Sequence, residues 1–190
     1  MATPINYGDI ITEVQMTPEE FEYVQNLIKE MPETGTIAEW GSGGSTCLWI
    51  DALGPKQKLI SVEHTENWYN RVSRGIKKHF GDVSDKFTFH HIPEEFIEHG
   101  YASLIEEHPC GTDKYIFPND KNFFDADIFF IDGIARAACA MTVLAKARKK
   151  TPVVLIHDYV GRENWYSWAS QFFTVEIVAE PTLARLHWKD

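Results

Sequence analysis

The chain has 190 residues, of which 44% are hydrophobic and 24% are charged, and its net charge is −10. This length fits one domain with a core of its own, and no apolar run approaches the roughly 20 residues that a membrane helix needs. The negative charge opposes contact with a nucleic-acid backbone. The composition therefore predicts a protein without nucleic-acid or membrane partners.

The N-terminal residues and the cysteines favour a cytoplasmic, reducing location. The first nine residues lack the basic and apolar regions of a signal peptide. Cys47, Cys110 and Cys139 are widely spaced, odd in number and without a CxxC pair. We therefore expect buried thiols, without a disulfide framework or a zinc site.

The first half of the chain alternates between helical and strand patterns. Thr17, Pro18 and two following acids predict a helix start, and apolar residues at helical spacing continue it to Met31. Strands are then predicted at residues 36–40, 58–62 and 86–92, and helices at residues 46–53 and 68–80.

The second half begins with an irregular segment and ends with a hairpin. Residues 93–124 are acidic and aromatic, with a short helix predicted around 94–107, and long segments of this kind often serve as lids. Uninterrupted apolar runs at 127–133 and 152–158 predict central parallel strands on either side of a helix that runs to residue 147. Residues 172–179 and 183–189 predict an antiparallel hairpin. Together the elements predict one α/β domain spanning residues 1–190, with a doubly wound, mostly parallel, seven-stranded sheet.

Four of the predicted strands end in groups that can do chemistry. A glycine-rich turn, residues 41–45, follows the first strand, and Glu63 ends the second. Asp132 ends the fourth strand, and His157 and Asp158 end the fifth. Because ligands of such sheets bind at the carboxyl ends of the strands, these groups should meet in one crevice. Their convergence predicts an enzyme.

The glycine pattern narrows the choice of nucleotide. A dinucleotide fingerprint, G-x-G-x-x-G, would need a third glycine where Thr46 stands, and no lysine is present for a phosphate-binding loop. An NAD-dependent oxidoreductase is therefore disfavoured but stays an alternative. A non-catalytic interaction module built on a cofactor-binding fold is a second alternative.

Several motifs together resemble the class I S-adenosylmethionine-dependent methyltransferases. They are the acid Glu39 two residues before the first glycine, the turn at residues 41–45 and the terminal hairpin, so the resemblance runs from about residue 36 to the C-terminus. Residues 130–140 and 154–159 look like those of small O-methyltransferase-like proteins, some of which accompany glycosyltransferases. The resemblance implies methyl transfer from S-adenosylmethionine to a hydroxyl of a sugar or another small polar acceptor.

The same resemblance implies the residues that contact the cofactor. The glycines would let the main chain pass beneath the methionine part, whose carboxylate would meet the hydroxyls and amides of Ser42, Ser45 and Thr46. Glu63 would accept both ribose hydroxyls, and His64 would border the adenine. The predicted cofactor-binding residues are Glu39, Gly41, Ser42, Gly43, Ser45, Thr46, Glu63, His64 and Asp132.

The predicted catalytic residues are His157, Asp132, Asp158 and Arg136. His157 is the candidate general base because an imidazole titrates near neutrality; the alternative is a histidine satisfied by a neighbouring carboxylate. Asp132 could contact the cofactor amine, a metal or the acceptor. Arg136 could bind the acceptor or form a structural pair with Asp132.

A magnesium or manganese site is an open alternative that the resemblance implies. Catechol-type, metal-dependent relatives bind magnesium through two acids and an asparagine, and Asp132 and Asp158 match the two acids. Tyr159 stands where the asparagine would be, and Ala135 stands where those relatives carry a lysine base.

Overall fold

The structure, a computed structural model, describes residues 15–93 and 112–189. Within these ranges the helices are α1 (Pro18–Glu30), α2 (Gly44–Ala52), α3 (Glu66–Phe80), α4 (Asp113–Ile116) and α5 (Arg136–Lys146). The strands are β1 (Thr36–Trp40), β2 (Lys58–Glu63), β3 (Phe87–His91), β4 (Ile128–Ile131), β5 (Val153–Ile156), β6 (Phe173–Ala179) and β7 (Leu183–Trp188). Short 3-10 turns span Phe123–Asp125 and Glu163–Tyr166.

The seven strands form one sheet in the order β3-β2-β1-β4-β5-β7-β6. Strands β1 to β5 pair in parallel, and β7 runs antiparallel to both β5 and β6. The strand order reverses between β1 and β4, which is where open α/β sheets bind ligands. The predicted fold class, a mostly parallel sheet with a C-terminal antiparallel hairpin, is confirmed.

The apolar strands are covered on both faces, which explains their uninterrupted hydrophobic runs. Successive side chains of a strand point to opposite faces, and in β1 Ile37 packs in one cluster while Ala38 packs in the other. The first cluster includes residues of α1, α2 and α3, among them the buried Trp49. The second includes residues of α4 and α5, among them the buried Tyr115.

The boundaries of β1 match the predicted ones, and those of the other predicted elements within the described residues differ by at most two residues. Helices α2 and α3 begin at Gly44 and Glu66, two residues before the predicted starts. Strands β4 and β5 are shorter than the apolar runs that predicted them, because the chain turns away from the sheet after Ile131 and Ile156. The turns place Asp132 and His157 just beyond the strand ends.

The segment at residues 93–124 lies partly outside the described residues, which exclude 94–111 and with them the predicted helix at 94–107 and Cys110. In its described part, Tyr115, Ile116 and Phe123 are buried. Trp40 Nε1 donates a hydrogen bond to the Tyr115 carbonyl at 2.9 Å. This part of the segment therefore packs in the core, and the predicted lid stays a prediction.

Two further sequence predictions concern the cysteines and the membrane. Cys47 and Cys139 are buried thiols, as expected. Over residues 15–93 and 112–189, no helix is long and apolar enough to cross a membrane.

Candidate active site

The turn after β1 packs directly on the turn after β4. Gly41 has a φ of +87°, in the left-handed region that favours glycine. A Cβ at this position would lie 2.5 Å from the Gly133 nitrogen and 2.7 Å from the Asp132 carbonyl carbon. Gly43 is extended, and a Cβ there would meet only the Trp68 ring at 3.8 Å. Of these two glycines, only Gly41 is required by the backbone.

Glu39 lies beneath the glycine turn and is fully buried. Its Oε1 accepts hydrogen bonds from Ser45 Oγ at 2.9 Å and Trp49 Nε1 at 3.0 Å. Its Oε2 accepts from Thr46 Oγ1 at 2.8 Å and Ser61 Oγ at 2.6 Å. Burial raises the pKa of Glu39 to about 7, although the three hydroxyls act to lower it. These hydrogen bonds from Ser45 and Thr46 to Glu39 attach the glycine turn to β1.

The hydroxyls of Ser45 and Thr46 point away from the position that the sequence predicted for them. Both donate to Glu39, and Thr46 Oγ1 also accepts from the Gly43 amide at 2.9 Å. The expected hydroxyl contacts to the cofactor stay a prediction, and in this geometry a buried carboxylate takes those donors. At its N-terminal end, α2 can offer a ligand its backbone amides.

Glu63 closes β2 beside the glycine turn, where its carboxylate accepts hydrogen bonds and lies 3.1 Å from Nδ1 of His64. Its Oε2 accepts from Ser42 N at 3.1 Å and Ser42 Oγ at 2.9 Å. Its Oε1 accepts from His64 N at 2.9 Å and Thr65 N at 2.8 Å. Burial alone would raise the pKa of Glu63, but hydrogen bonds from His64, Thr65 and Ser42 lower it below its ordinary value. The end of β2 therefore carries a buried, ionised carboxylate.

The sequence analysis missed Tyr115, which lies between the ends of β2 and β4. Its ring centroid is 5.5 Å from that of His64, edge to face. Its hydroxyl fills the space where a Cβ of Gly133 would be, so the Asp-Gly pair after β4 makes room for a phenol. The glycine was the one signal in the sequence that something approaches the backbone closely there.

His157 is buried between carboxylates on both of its edges. Its Nδ1 lies 3.1 Å from Asp132 Oδ1 and 3.6 Å from Asp158 Oδ1. Its Nε2 lies 3.5 Å from Oε2 of Glu20, a buried residue of α1. Burial alone would lower the pKa of His157, but Asp132 and Glu20 raise it to about 10.

The general-base role of His157 stays a prediction, which this arrangement does not favour. With a pKa of about 10, the imidazole carries both of its protons near neutrality and has no lone pair to accept another. The alternative weighed in the sequence, a histidine satisfied by neighbouring carboxylates, matches the geometry. Glu20 was missed because its only signal was the Thr17–Glu20 capping box, which the structure does form.

Arg136 ties the turn after β4 to the turn after β5. Its guanidinium lies 3.4 Å from Asp132 Oδ1 and 3.5 Å from Asp158 Oδ2. It also donates to the carbonyls of Gly133 and His157. Arg136 is buried and forms the ion pair with Asp132, and Asp158 is a second carboxylate in contact with its guanidinium.

Asp158 is the most open carboxylate of this cluster. It sits at a φ of +54°, and its side chain is 33% exposed. Arg162 Nη2 lies 3.2 Å from Asp158 Oδ2, and the Arg162 guanidinium is 5.2 Å from the centroid of the Trp165 ring.

The residues at this edge of the sheet form two groups, the glycine-turn half and the ion-pair half. The glycine-turn half comprises Glu39, residues 41–46 and Glu63. The ion-pair half comprises Glu20, Asp132, Arg136, His157, Asp158 and Arg162. In the second group, three carboxylates face three cationic groups.

The ion-pair half does not fit the metal ion that the resemblance implied. Asp132, His157 and Asp158 offer ligand atoms within 4.8 Å of one another. However, the imidazole nitrogens already face Asp132 and Glu20, and Arg136 lies against both carboxylates. A divalent cation would have to displace charges that already balance the carboxylates.

Comparison with known proteins shows the fold. No family model and no curated protein sequence matches the chain. A methyltransferase-like protein from Silicibacter pomeroyi is 20% identical, with a TM-score of 0.71 over 95% of this chain and 90% of that one. A SAH-bound methyltransferase from Podospora anserina is 13% identical, with a TM-score of 0.64 over 93% and 80%. An O-methyltransferase from Bacillus cereus in complex with SAH is 14% identical, with a TM-score of 0.61 over 91% and 83%. The chain therefore has the fold of the class I S-adenosylmethionine-dependent methyltransferases that its sequence resembles.

Proposed function

We propose that this protein transfers a methyl group from S-adenosylmethionine to a hydroxyl of a saccharide or another small polar acceptor. The observation that carries the proposal is Glu63, a buried, ionised carboxylate held against the glycine turn where the strand order reverses. The likeness to two methyltransferases bound to S-adenosylhomocysteine (SAH), one of them an O-methyltransferase, supports it. No observation favours the NAD-dependent or non-catalytic alternative.

The glycine-turn half and Asp132 are assigned to the methyl donor. Glu63 would bind the ribose hydroxyls, one of which would replace the Ser42 hydroxyl at Oε2. The Asp132 backbone packs against Gly41 and its side chain is 23% exposed, so its carboxylate can meet the donor's ammonium group. The bound donor supplies an electrophilic methyl group on a positively charged sulfur. The ionised carboxylate of Glu63 favours that charge.

Asp158 and Arg162 are assigned to the acceptor, because both are partly exposed beside the donor position. Asp158 would take the hydroxyl proton as the acceptor oxygen bonds to the methyl carbon and the bond from that carbon to sulfur breaks, which releases SAH; a protonated His157 cannot fill this role. Arg162 would hold a polar group of the acceptor. Most of the acceleration would come from holding the two reactants in line.

The donor assignment is tested by calorimetry with SAH and NAD side by side. We expect SAH to bind, and Glu63→Gln to weaken it by about 1–3 kcal/mol because a buried partner is lost. Glu66→Gln, an exposed charge change at the start of α3, is the matched control and should leave binding unchanged. Binding of NAD without binding of SAH would contradict the proposal.

The acceptor assignment is tested by following labelled methyl groups into a panel of saccharides and catechols. Transfer to a hydroxyl gives an alkali-stable ether, whereas an alkali-labile ester would contradict the proposal. Asp158→Asn should lower turnover by about 10²–10⁴-fold with unchanged SAH affinity, as expected for loss of a general base.

A further inference from the structure

Glu20 belongs to the N-terminal helix α1, yet its carboxylate contacts His157 on the edge of the ring opposite Asp132. It lies in the first turn of α1 and is only 1% exposed, whereas the acid beside it, Glu19, is exposed. Its Oε2 is 3.5 Å from Nε2 of His157. The opposite edge of the same ring is 3.1 Å from Asp132.

The position of the Glu20 carboxylate is fixed by other contacts. Its Oε2 accepts from Thr17 N at 2.8 Å, which is half of the capping box of α1. Its Oε1 accepts from Thr182 N at 3.2 Å and Thr182 Oγ1 at 2.8 Å, in the turn between β6 and β7. Because α1 and the turn between β6 and β7 both hold Glu20, its carboxylate offers a fixed contact to His157.

His157 links Glu20 to the Asp132 carboxylate at the crevice. The charged groups that face it are Glu20 from α1, Asp132 after β4 and the adjacent Asp158, and Arg136 donates to its carbonyl. The ring has a carboxylate at each edge: Nδ1 has hydrogen-bond geometry with Asp132, and Nε2 has an ion-pair contact with Glu20. Side-chain exposure rises from 1% at Glu20 to 3% at His157 and 23% at Asp132. The chain of contacts therefore leads from the core to an accessible carboxylate.

We propose that Glu20 is a positioning residue of the site, which fixes the Asp132 carboxylate through the buried ring of His157. A structural role alone does not account for this arrangement, because capping and the Thr182 contacts need no imidazole. Burial of charged groups costs free energy of desolvation, so such a chain is weak evidence for stability and better evidence for orientation. The expected effect of Glu20 on donor binding rests on the proposed function, whereas the coupling of Glu20 to His157 does not.

The experiment compares Glu20→Gln with Thr182→Val. The first variant keeps the shape and the acceptor oxygen but removes the charge that faces His157. The second removes a hydrogen bond at the other Glu20 oxygen and keeps that charge, so it reports the structural role alone. The readouts are the imidazole nitrogen spectrum of His157 across pH and the SAH affinity by calorimetry.

We expect Glu20→Gln to lower the midpoint of the His157 titration by about one pH unit or more, since one of its two strongest partners loses its charge. The SAH dissociation constant should rise by about 2- to 30-fold, the usual range for residues that act through another. Thr182→Val should change both readouts less than Glu20→Gln does, because the Thr182 amide and the Glu20 charge remain. Wild-type readouts in Glu20→Gln, or equal losses in both variants, would overturn the proposal.

Two further outcomes are decided by the same design. If wild-type protein fails to bind SAH, the proposed function is wrong, and the His157 spectrum alone decides whether Glu20 positions the ring. If Glu20→Gln fails to fold, Glu20→Asp replaces it. That variant keeps the charge but shortens the side chain, so we expect the imidazole to stay doubly protonated and SAH affinity to fall. Wild-type affinity in Glu20→Asp would overturn the proposal.

Discussion

The glycine-turn half and the ion-pair half hold their acids in different ways. Glu39 and Glu63 accept hydrogen bonds mainly from neutral hydroxyls, amides and an indole, and Glu63 also faces the His64 imidazole. Asp132 and Asp158 lie against an imidazolium and guanidinium groups. Neutral donors stabilise a carboxylate without cancelling its charge, whereas cations cancel it.

This difference separates the tasks that the two halves can perform. The glycine-turn half, with the ionised Glu63, suits a ligand with a cationic centre and a diol. The ion-pair half suits a fixed orientation of carboxylates and leaves its partly exposed Asp132 for a single ammonium contact, with little attraction for a divalent metal ion. The comparison therefore supports a sulfonium donor and argues against a divalent metal at the same edge.

The largest effect is expected from removing Glu39. Glu39→Ala leaves four buried donors without their acceptor and should lower the free energy of unfolding by about 3–5 kcal/mol. Urea denaturation measures it. Ser45→Ala, which removes a single donor, should cost about 1 kcal/mol. Equal losses in the two variants would show that Glu39 does not organise the turn.

The ion-pair half should make stability depend on pH. Between about pH 6.5 and 10 the folded protein binds one more proton, at His157, than the unfolded chain. The stabilisation is therefore complete below about pH 6.5 and is lost as the pH rises towards 10, by about 2–4 kcal/mol. Denaturation of the wild type at pH 7.5–10 should show this fall. The curve of His157→Gln should be flatter, and parallel curves would contradict the charged imidazole.

Gly41 and Gly43 form a matched pair within the glycine-turn half. Gly41→Ala places a Cβ against Gly133 in a left-handed backbone, so we expect a loss of about 2–3 kcal/mol and weaker SAH binding. Gly43→Ala should stay within about 1 kcal/mol of wild type in stability, because its Cβ meets only the Trp68 ring. A reversed order would show that the contact between the two turns is unimportant.

The smallest effect is expected from metal ions. Magnesium or manganese should leave the melting temperature and SAH affinity unchanged, and a chelator should do the same, because cations already balance the ion-pair half. Thermal denaturation with and without each ion measures this. A concentration-dependent rise in melting temperature would reveal a bound metal.

Local patterns in the sequence determined the strands, the order of the elements and the chemistry at the strand ends. β1 was predicted with its observed boundaries, and the pattern at Thr17 and Pro18 predicted the start of α1. Strand periodicity and capping depend on neighbouring residues, so the sequence alone reveals them. Parallel strands also share an edge, which is why Asp132 and His157 could be placed together.

Only the tertiary structure decided which partner each acid and each hydroxyl has. Thr46 turns to Glu39 because that carboxylate is buried beneath it, and His157 is protonated because Glu20 and Asp132 lie on either side. Protonation and side-chain direction follow from burial and from charges on other elements. The contact of His157 with Glu20 joins residues far apart in the chain, and no local pattern encodes such a distance.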